Sequence, residues 1–262
     1  MPDVLKVYIG YDQREDAAYK VCRHSLIRHS SLPVDVRPLK LDSVRRAGWF
    51  TRSHYPHNGQ RYDSLDQKPF STDFSFTRFL VPMLQEYDGL ALFLDCDFLI
   101  RGDIAELFAD FDQTKAVACV KHHHEPSDDV KMDGRQQTRY RRKNWSSFVL
   151  WNCGHEANSR LTLDGVNTRP GGWLHAFEWL DDHEIGHIPA DWNYLVGYDK
   201  ALAWNEVPRG IHFTSGGPWF QHMGDVPYAD LWRTEQLHLE YASGRLPLPK
   251  DAGIRPYVDR AA

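Results

Sequence analysis

The stretch Leu90-Ala-Leu-Phe-Leu-Asp-Cys-Asp-Phe-Leu-Ile100 places two carboxylates, Asp95 and Asp97, inside an otherwise apolar run. Five apolar residues precede the first aspartate and three follow the second, which predicts one buried strand over residues 90–100. Side chains two residues apart on a strand point the same way, so the two carboxylates would share one face. Open α/β sheets bind their ligands at the carboxyl ends of the strands, and this position therefore predicts a binding site.

Two carboxylates held this close repel each other, and one pKa would rise unless a positive charge lies between them. A hard divalent cation supplies that charge and accepts oxygen ligands from both side chains. Mg²⁺ or Mn²⁺ usually keeps coordination positions for substrate phosphates, so the pattern predicts a metal–diphosphate site. Two structural alternatives stay open: one aspartate caps the strand end, or it pairs with Arg101.

A second motif, Ile211-His-Phe-Thr-Ser-Gly-Gly-Pro-Trp219, begins with a short predicted strand at residues 211–214 that contains His212. The imidazole can provide a nitrogen ligand, and Gly216 and Gly217 allow a close approach of the backbone to phosphate. Each part alone is also typical of a structural histidine or of an ordinary turn. The combination with the two aspartates, more than a hundred residues earlier, is more specific than either part.

The remaining pattern predicts alternating strands and helices. Further strands are predicted at 5–10, 34–41, 116–121 and 148–153, and helices at 14–28, 74–87, 103–108 and 172–180. The β-α-β order at the start of the chain predicts a parallel strand pair joined by a right-handed crossover. Pro82 is expected to kink or break its helix, and residues 42–73 are expected to form a long irregular loop.

The composition predicts a globular protein, since 42% of the 262 residues are hydrophobic and the formal net charge is −5. This charge gives no reason to expect nucleic-acid binding, which usually needs a basic face. The four cysteines lack finger-like spacing and favour a reduced, cytoplasmic protein. No apolar run is long enough to span a bilayer, and peripheral membrane contact stays open. We expect one domain over residues 1–242 and a Pro- and charge-rich tail over 243–262.

The two motifs together resemble those of the glycogenin-like retaining glycosyltransferases, a family 8-like group with the GT-A fold. The resemblance rests on residues 93–97 and 211–219, with three further segments in the expected order at 7–12, 74–82 and 147–152. It implies an α/β fold of GT-A type, in which helices flank a mixed, mostly parallel sheet that binds a nucleotide sugar. It also implies that the donor is usually a UDP-sugar and that the cofactor is Mn²⁺ or Mg²⁺.

Carried onto this chain, the resemblance makes Asp95, Asp97 and His212 the metal ligands. The nucleotide-sugar-binding residues that it implies are Gly10, Tyr11, Asp12, Arg78, Asp95, Cys96, Asp97, Gly216 and Gly217. The first three of these would contact the nucleoside base, and the arginine would lie near the nucleotide sugar. Two alternatives stay open: Arg78 is a helix-surface residue, and Tyr11 and Asp12 are residues of a turn at the strand end.

The diphosphate half of the site departs from the family's pattern at one position. Gly217 stands where the family generally carries a lysine that helps to hold the diphosphate. One preorganised donor of this kind is typically worth about 3 kcal/mol, so its loss requires a substitute. The basic side chains that could swing in are Arg139, Arg141 and Arg142.

The sugar half departs at two positions. Trp145-Ser-Ser147 stands in place of Asn-Ser-Gly, so a sugar-contacting asparagine is absent or shifted to Asn144. The family's Asp-Gln pair beside the reacting sugar has Asp181-Asp182 as its nearest counterpart. These two aspartates are therefore the candidate catalytic residues, and the alternative is a solvated pair at a helix end.

These inferences predict a metal-dependent hexosyltransferase that moves a sugar from a nucleotide sugar to a glycan or glycolipid acceptor with retention of configuration. The alternative is a nucleotide-sugar-binding module with little or no turnover, which the departures from the family's pattern allow. An aspartate-nucleophile phosphatase fits less well. That class carries its D-x-D motif on the first strand and follows it with a small or hydroxyl residue, whereas here Phe98 follows.

Overall fold

The computed structural model describes residues 2–122, 142, 144–200 and 206–245. Within these ranges the strands are β1 (Leu5–Tyr11), β2 (Val34–Lys40), β3 (His54–His57), β4 (Gln60–Asp63), β5 (Pro69–Phe70), β6 (Leu90–Leu94), β7 (Phe98–Ile100), β8 (Val117–Cys119), β9 (Phe148–Asn152), β10 (Ile185–His187), β11 (Tyr194–Leu195) and β12 (Gly210–His212). The α-helices are α1 (Asp16–His29), α2 (Leu41–Arg46), α3 (Val81–Leu84), α4 (Ala105–Ala109), α5 (Leu163–Thr168), α6 (Gly171–His175) and α7 (Ala229–Ala242). Short 3₁₀ helices lie at Gln13–Glu15, Thr77–Leu80, Trp145–Ser147, Glu156–Arg160, Asp182–Glu184, Ala190–Trp192 and Gln221–Met223.

Parts of the sequence-based predictions fall outside the described residues. They are Arg139 and Arg141 of the proposed basic substitutes, and residues 246–262 of the expected tail. Among the described helices, none combines the length and the apolar character that a membrane-spanning segment needs.

The central sheet has six strands in the order β10-β8-β9-β6-β1-β2. The strand β1 pairs in parallel with both β2 and β6, and β8 pairs in parallel with β10. The strand β9 runs antiparallel to both of its neighbours, β6 and β8. The prediction of a mixed, mostly parallel α/β sheet is therefore confirmed, and so is the parallel pair that α1 connects.

The apolar runs of the sequence form the centre of this sheet. In β6 the consecutive residues Ala91 to Leu94 are all fully buried, so both faces of this central strand of the mixed sheet are covered. The four cysteines are free and buried. Burial raises the pKa of the Cys119 and Cys153 thiols to about 12, so they behave as small apolar groups rather than as nucleophiles.

The prediction of one strand over residues 90–100 is wrong, because the chain changes sheets in its middle. The strand β6 ends at Leu94, and β7 begins at Phe98. The strand β7 pairs antiparallel with β12, which pairs in parallel with β11, in a separate three-stranded sheet. Asp95 and Asp97 therefore lie in the turn between two sheets rather than on the face of one strand.

The expectation that residues 42–73 are irregular is also wrong. This segment contains most of α2 and a three-stranded antiparallel sheet, β3-β4-β5. Asn58 and Gly59 join β3 to β4, and both have positive φ, at 49° and 73°. An Asn-Gly pair between two strand-forming segments is a strong hairpin signal, and this signal was present in the sequence.

Two helix predictions were too long. The helix predicted over 74–87 is a 3₁₀ helix followed by α3, with Pro82 in the first turn of α3, where a missing N–H breaks no hydrogen bond. The helix predicted over 172–180 ends at His175. Phe177 has a φ of 50°, and a residue in this left-handed region cannot continue a right-handed helix.

A buried ion pair attaches the β3-β4-β5 sheet to the rest of the protein. The Arg52 guanidinium donates to both carboxylate oxygens of Asp63 at 2.8 and 2.6 Å, and both side chains are 1% exposed. The same guanidinium donates to the Arg169 carbonyl at 2.6 Å and lies 4.2 Å from the centroid of the Phe76 ring. The small sheet therefore has a fixed position beside α5 and the central body.

We expect Asp63→Asn to destabilise the protein by about 3–5 kcal/mol, because it leaves the Arg52 guanidinium buried without its counter-ion. Asp35→Asn is a matched control: Asp35 accepts from Lys6 at 2.9 Å, but its side chain is 34% exposed. Removing this surface pair should change the free energy of unfolding by less than about 1 kcal/mol. Urea unfolding followed by tryptophan fluorescence measures both, and equal losses in the two variants would contradict the assignment.

A second buried cluster joins α1 to α7. Glu235 accepts a hydrogen bond from Arg28 at 2.6 Å and contacts His24 Nδ1 at 2.7 Å. Burial opposes ionisation of Glu235, but the hydrogen bonds from His24 and Arg28 outweigh it and lower the pKa of this carboxyl to about 2. The ionised carboxylate thus stabilises the contact between the two longest helices of the described residues.

Because the folded pKa of Glu235 lies below its ordinary value of 4.5, its contribution to stability is present above pH 4.5 and is lost as pH falls toward 2. We expect Glu235→Gln to cost up to about 3 kcal/mol of unfolding free energy at neutral pH. The difference between the variant and the wild type should fall to about half by pH 3. Urea unfolding across this pH range measures it, and a difference that does not change with pH would refute the role of the ionised carboxylate.

Candidate functional site

A cleft opens at the carboxyl ends of β1 and β6, and its empty volume, counted out to the open mouth, is about 1160 Å³. Its lining comes from the ends of central strands, from the β3-β4-β5 sheet and from the turn after β12: Arg14, Glu15, Asp66, Lys68, Pro69, Phe70, Ser71, Thr72, Ser75, Phe76, Arg78, Asp95, Asp97, Asn144, Ser146, Ser147, Gly171, Gly172, His175, His212, Thr214, Ser215, Gly216 and Phe220.

Three of the residues singled out in the sequence come together in this cleft. One ligand atom from each of Asp95, Asp97 and His212 lies within 4.8 Å of the others. His212 Nε2 is 3.3 Å from Asp97 Oδ1, and the imidazole stacks on the Phe98 ring with centroids 4.2 Å apart. The antiparallel pairing of β7 with β12 sets Phe98 opposite His212 and so brings two distant motifs into one site.

Main-chain hydrogen bonds fix the turn that carries the two aspartates. The Asp95 N–H donates to the Ser147 carbonyl, and the Phe213 N–H donates to the Asp97 carbonyl, both at 3.0 Å. His212 is held at its other ring nitrogen, since Nδ1 lies 2.8 Å from Asn193 Oδ1. The ring nitrogen that faces the carboxylates is therefore Nε2.

Arg78 is buried in the cleft wall, so the alternative that it is a helix-surface residue is wrong. Its guanidinium pairs with Asp95 at 2.9 Å and donates to the Ser146 carbonyl at 2.9 Å. The rings of Phe74 and Phe93 lie 5.4 and 5.2 Å from it. The guanidinium neutralises one of the two carboxylates, so the pair retains about one negative charge.

The donor set fits a divalent transition metal. Two carboxylates and a neutral imidazole are ligands that Mn²⁺ accepts, and the spacing of their atoms allows them to contact one ion. The retained negative charge beside the imidazole favours the same occupant. Asp95, Asp97 and His212 could therefore hold such a metal.

The residues predicted to contact the nucleoside base do not line the cleft. A Cβ on Gly10 would lie 2.4 Å from the Phe74 ring, so packing alone requires a glycine there. The Tyr11 hydroxyl donates to Asp16 Oδ1 at 3.0 Å. Asp12 is buried, and its carboxylate accepts a hydrogen bond at 3.0 Å from the backbone N–H of Arg14. Arg14 itself lines the cleft.

Asp12 acts on the cleft through its neighbour. Its carboxylate accepts from Arg14 Nε at 2.9 Å and from the Asp73 N–H at 3.1 Å. Burial opposes its ionisation, but the hydrogen bonds from Arg14 hold the pKa of Asp12 below its ordinary value. The ionised Asp12 therefore fixes the Arg14 guanidinium at the cleft edge, where it also donates to the Ser71 carbonyl at 2.5 Å.

Of the other residues predicted to bind the nucleotide sugar, some line the cleft and others do not. Gly216 lines the cleft with a φ of 109°, a conformation that side chains rarely adopt, whereas Gly217 does not line it. The Cys96 thiol is buried, donates to Glu15 Oε2 at 3.3 Å and has a pKa raised well above its ordinary value by burial. Cys96 is not part of the cleft lining, but it contacts Glu15, which is.

Asp181 and Asp182, the candidate catalytic residues, are exposed and do not line the cleft. Asp181 and Glu184 form a capping box around a 3₁₀ helix, which accounts for the clustering of Asp181, His183 and Glu184. Asp182 pairs with Arg142, and Arg142 also donates to the Ala176 carbonyl at 2.5 Å. Arg142, the described member of the proposed basic substitutes, is thus bound outside the cleft lining.

The structure also places in the cleft residues that the sequence reasoning missed. Lys68 and Asp66 reach it from the turn between β4 and β5, inside the segment that was expected to be irregular. His175 reaches it from α6, and its Nδ1 lies 2.8 Å from the Ser146 hydroxyl. The Asn58-Gly59 hairpin signal could have predicted the small sheet, but no local signal indicates that this sheet borders the cleft.

No family model matches the chain. Among solved structures, the glycosyltransferase GlyE of Streptococcus pneumoniae TIGR4 is similar with a TM-score of 0.57 at 17% identity, over 97% of this chain and 67% of that one. The galactosyltransferase LgtC is similar with a TM-score of 0.52 at 11% identity, over 94% and 98%. These similarities show that the chain has the GT-A fold.

At the level of sequence, the chain is 46% identical to Protein CDI of Arabidopsis thaliana over 233 residues. The matched region covers 88% of this chain and 85% of that protein. Identity of this degree over most of both chains shows common descent and a common fold. The protein therefore belongs to the same family as Protein CDI.

Proposed function

We propose that this protein is a metal-dependent glycosyltransferase, which moves a sugar from a nucleotide sugar, usually UDP-linked, to a glycan or glycolipid acceptor. The observation that carries the proposal is the convergence of Asp95, Asp97 and His212 in a cleft at the carboxyl edge of a GT-A sheet. The similar solved structures carry glycosyltransferase names, and that of LgtC contains donor and acceptor sugar analogs. Membership of the glycogenin-like retaining group, and retention of configuration, are part of this proposal.

In this proposal Asp95, Asp97 and His212 hold Mn²⁺ or Mg²⁺. The ion would neutralise charge on the diphosphate as the sugar–phosphate bond breaks. Thr214 and Ser215, two and three residues after His212, line the cleft, and their hydroxyls would donate to phosphate oxygens. The end of β12 sets their position, because they lie in the turn that follows this strand.

Lys68 is the candidate for the positive charge that Gly217 does not supply. Among the described basic residues of the cleft lining, Arg14 pairs with Asp12, and Arg78 pairs with Asp95. The Lys68 backbone N–H donates to Asp66 Oδ1 at 3.1 Å, but within the described part of the chain its ammonium forms no ion pair, and the residue is exposed at the cleft. Its ammonium is therefore available to a phosphate or to the leaving nucleotide.

The sugar end of the cleft has its own polar groups. Asn144, to which the family's asparagine would be shifted, lines the cleft, and so does the hydrogen-bonded pair of Ser146 and His175. Of the carboxylates in the described lining, Glu15 and Asp66 are not part of the metal set. These groups are candidates for contact with the transferred sugar, and Asp181 and Asp182 stay predictions that the cleft geometry does not favour.

The second candidate function is a nucleotide-sugar-binding module with little or no turnover. The observation that favours it is the exposed position of Asp181 and Asp182, outside the cleft lining. If no other group stabilises the cationic sugar, the donor would bind and stay intact. The metal and diphosphate contacts would be the same in both functions.

We expect a matching UDP-sugar to raise the melting temperature by about 5 °C or more at a concentration near 100 times its Kd, and only when Mn²⁺ is present. Asp97→Asn should abolish this shift, because it removes a charged ligand from the metal set. Asp230→Asn is the control, since Asp230 lies fully exposed on α7 and should leave the shift unchanged. A thermal-shift panel of UDP-sugars measures this, and equal shifts in the presence of EDTA would contradict the proposed site.

A turnover assay separates the two candidate functions. With Mn²⁺ and the stabilising UDP-sugar, the wild type should release UDP slowly by transfer to water, and Lys68→Met should lower the rate about 100-fold. Lys6→Met, which removes a half-buried lysine that pairs with Asp35 on the central sheet outside the cleft lining, is the control and should have the wild-type rate. Binding without any release of UDP by the wild type would favour the binding module, and a wild-type rate in Lys68→Met would reject the role of that lysine.

A further inference from the structure

A chain of buried hydrogen bonds lies behind the imidazole of His212. The Ser147 hydroxyl donates to the Asn144 carbonyl at 2.7 Å, and Asn193 Nδ2 donates to Ser147 Oγ at 3.0 Å. Asn193 Oδ1 then lies 2.8 Å from His212 Nδ1. Ser147, Asn193 and His212 are 3%, 0% and 1% exposed, so water does not compete for these bonds.

The donor and acceptor of each hydrogen bond in this series follow from the first one, between the Ser147 hydroxyl and the Asn144 carbonyl. A backbone carbonyl can only accept, so the single hydroxyl proton of Ser147 points to Asn144. The Ser147 oxygen can then only accept, which turns the amide NH₂ of Asn193 toward it and the amide oxygen toward His212. Since that oxygen accepts as well, His212 Nδ1 must carry a hydrogen.

We propose that Ser147 and Asn193 are positioning residues that keep His212 protonated at Nδ1, so that its Nε2 lone pair is presented to the metal. The inference rests on the proposed function, because it gives these residues a role toward the cation. A second hydrogen bond of this kind fixes the orientation of a metal-binding histidine, and its loss typically lowers metal affinity 10- to 100-fold. The stacking of the imidazole on Phe98 restricts the ring in the same orientation.

Ser147 connects this chain to the other metal ligands. Its carbonyl accepts the Asp95 N–H at 3.0 Å, while its hydroxyl orients the amide that holds His212. It ends the 3₁₀ helix that directly precedes β9 of the central sheet, whereas Asn193 directly precedes β11 in the second sheet. Ser147 thus connects the positions of the proposed metal ligands Asp95 and His212. The motif of the glycogenin-like family carries a different residue where Ser147 stands.

The first test is spectroscopic and needs no turnover. With ¹⁵N-labelled histidine, the His212 signals, identified by their loss in His212→Gln, should show a protonated Nδ1 in the wild type. With Mg²⁺ bound they should show an unprotonated Nε2 as well. In Asn193→Ala the fixed proton at Nδ1 should be lost. A wild-type Nδ1 without a hydrogen would overturn the inference.

The second test is the affinity for Mn²⁺ alone, measured by calorimetry or by electron paramagnetic resonance. Asn193→Ala should weaken binding 10- to 100-fold. Ser147→Ala should also weaken Mn²⁺ binding, because the Asn193 amide can then turn over, but the loss should be smaller because that amide is still present. Ser147→Thr should restore the affinity, because it returns the hydroxyl. Asn158→Ala is the matched control: Asn158 is also fully buried, and it donates to the Ala116 and Asn152 carbonyls at 2.9 and 2.8 Å, outside the cleft lining.

The outcomes separate this inference from the proposed function. If the wild type binds no Mn²⁺, the metal-dependent function fails, and the role of the hydrogen-bond chain fails with it. If the wild type and Asn193→Ala bind Mn²⁺ equally well, only the inference about Asn193 and Ser147 is overturned. A loss in Asn158→Ala equal to that in Asn193→Ala would also overturn it, because general destabilisation would then explain both.

Discussion

The cleft depends on one change of direction in the backbone. After Leu94 the chain leaves the central sheet, and at Phe98 it enters a second sheet in which β7 pairs with β12. The Asp97 carbonyl accepts the N–H of Phe213, the residue directly after His212. The turn and the imidazole therefore cannot be positioned independently, and two carboxylates that would repel each other are held beside one nitrogen ligand.

Burying charge in this turn requires compensation, and the structure supplies it from behind the site. The Arg78 guanidinium neutralises Asp95 and is itself enclosed by two aromatic rings. The Phe213 N–H, which donates to the Asp97 carbonyl, and the Asn193 amide oxygen, which faces His212 Nδ1, hold the other two residues without adding charge. The remaining negative charge is what the cation of the proposed function would neutralise.

Local sequence signals made part of the fold and of the candidate site predictable. The apolar runs identified the strands of the central sheet, and D-x-D and His212 stand out because their types and positions differ from their surroundings. The break after Leu94 could not be read from the sequence, because residues on both sides are apolar and only the distant β12 decides the pairing. The prediction that Asp12 contacts the nucleoside base rested on the resemblance; its carboxylate instead binds Arg14, two residues on, and the N–H of Asp73, 61 residues away, a contact that the sequence does not reveal. Asp181 was predicted to lie in the site only as the nearest counterpart of the family's Asp-Gln pair, and no local signal indicated that it lies outside the cleft lining.

The most direct test of the central claim is anomalous scattering at the manganese edge from crystals grown with Mn²⁺ and UDP. We predict one strong peak within bonding distance of Asp97 and of His212 Nε2, with the diphosphate oxygens on its open side. A crystal that contains ordered UDP in the cleft but no manganese peak at these side chains would contradict it.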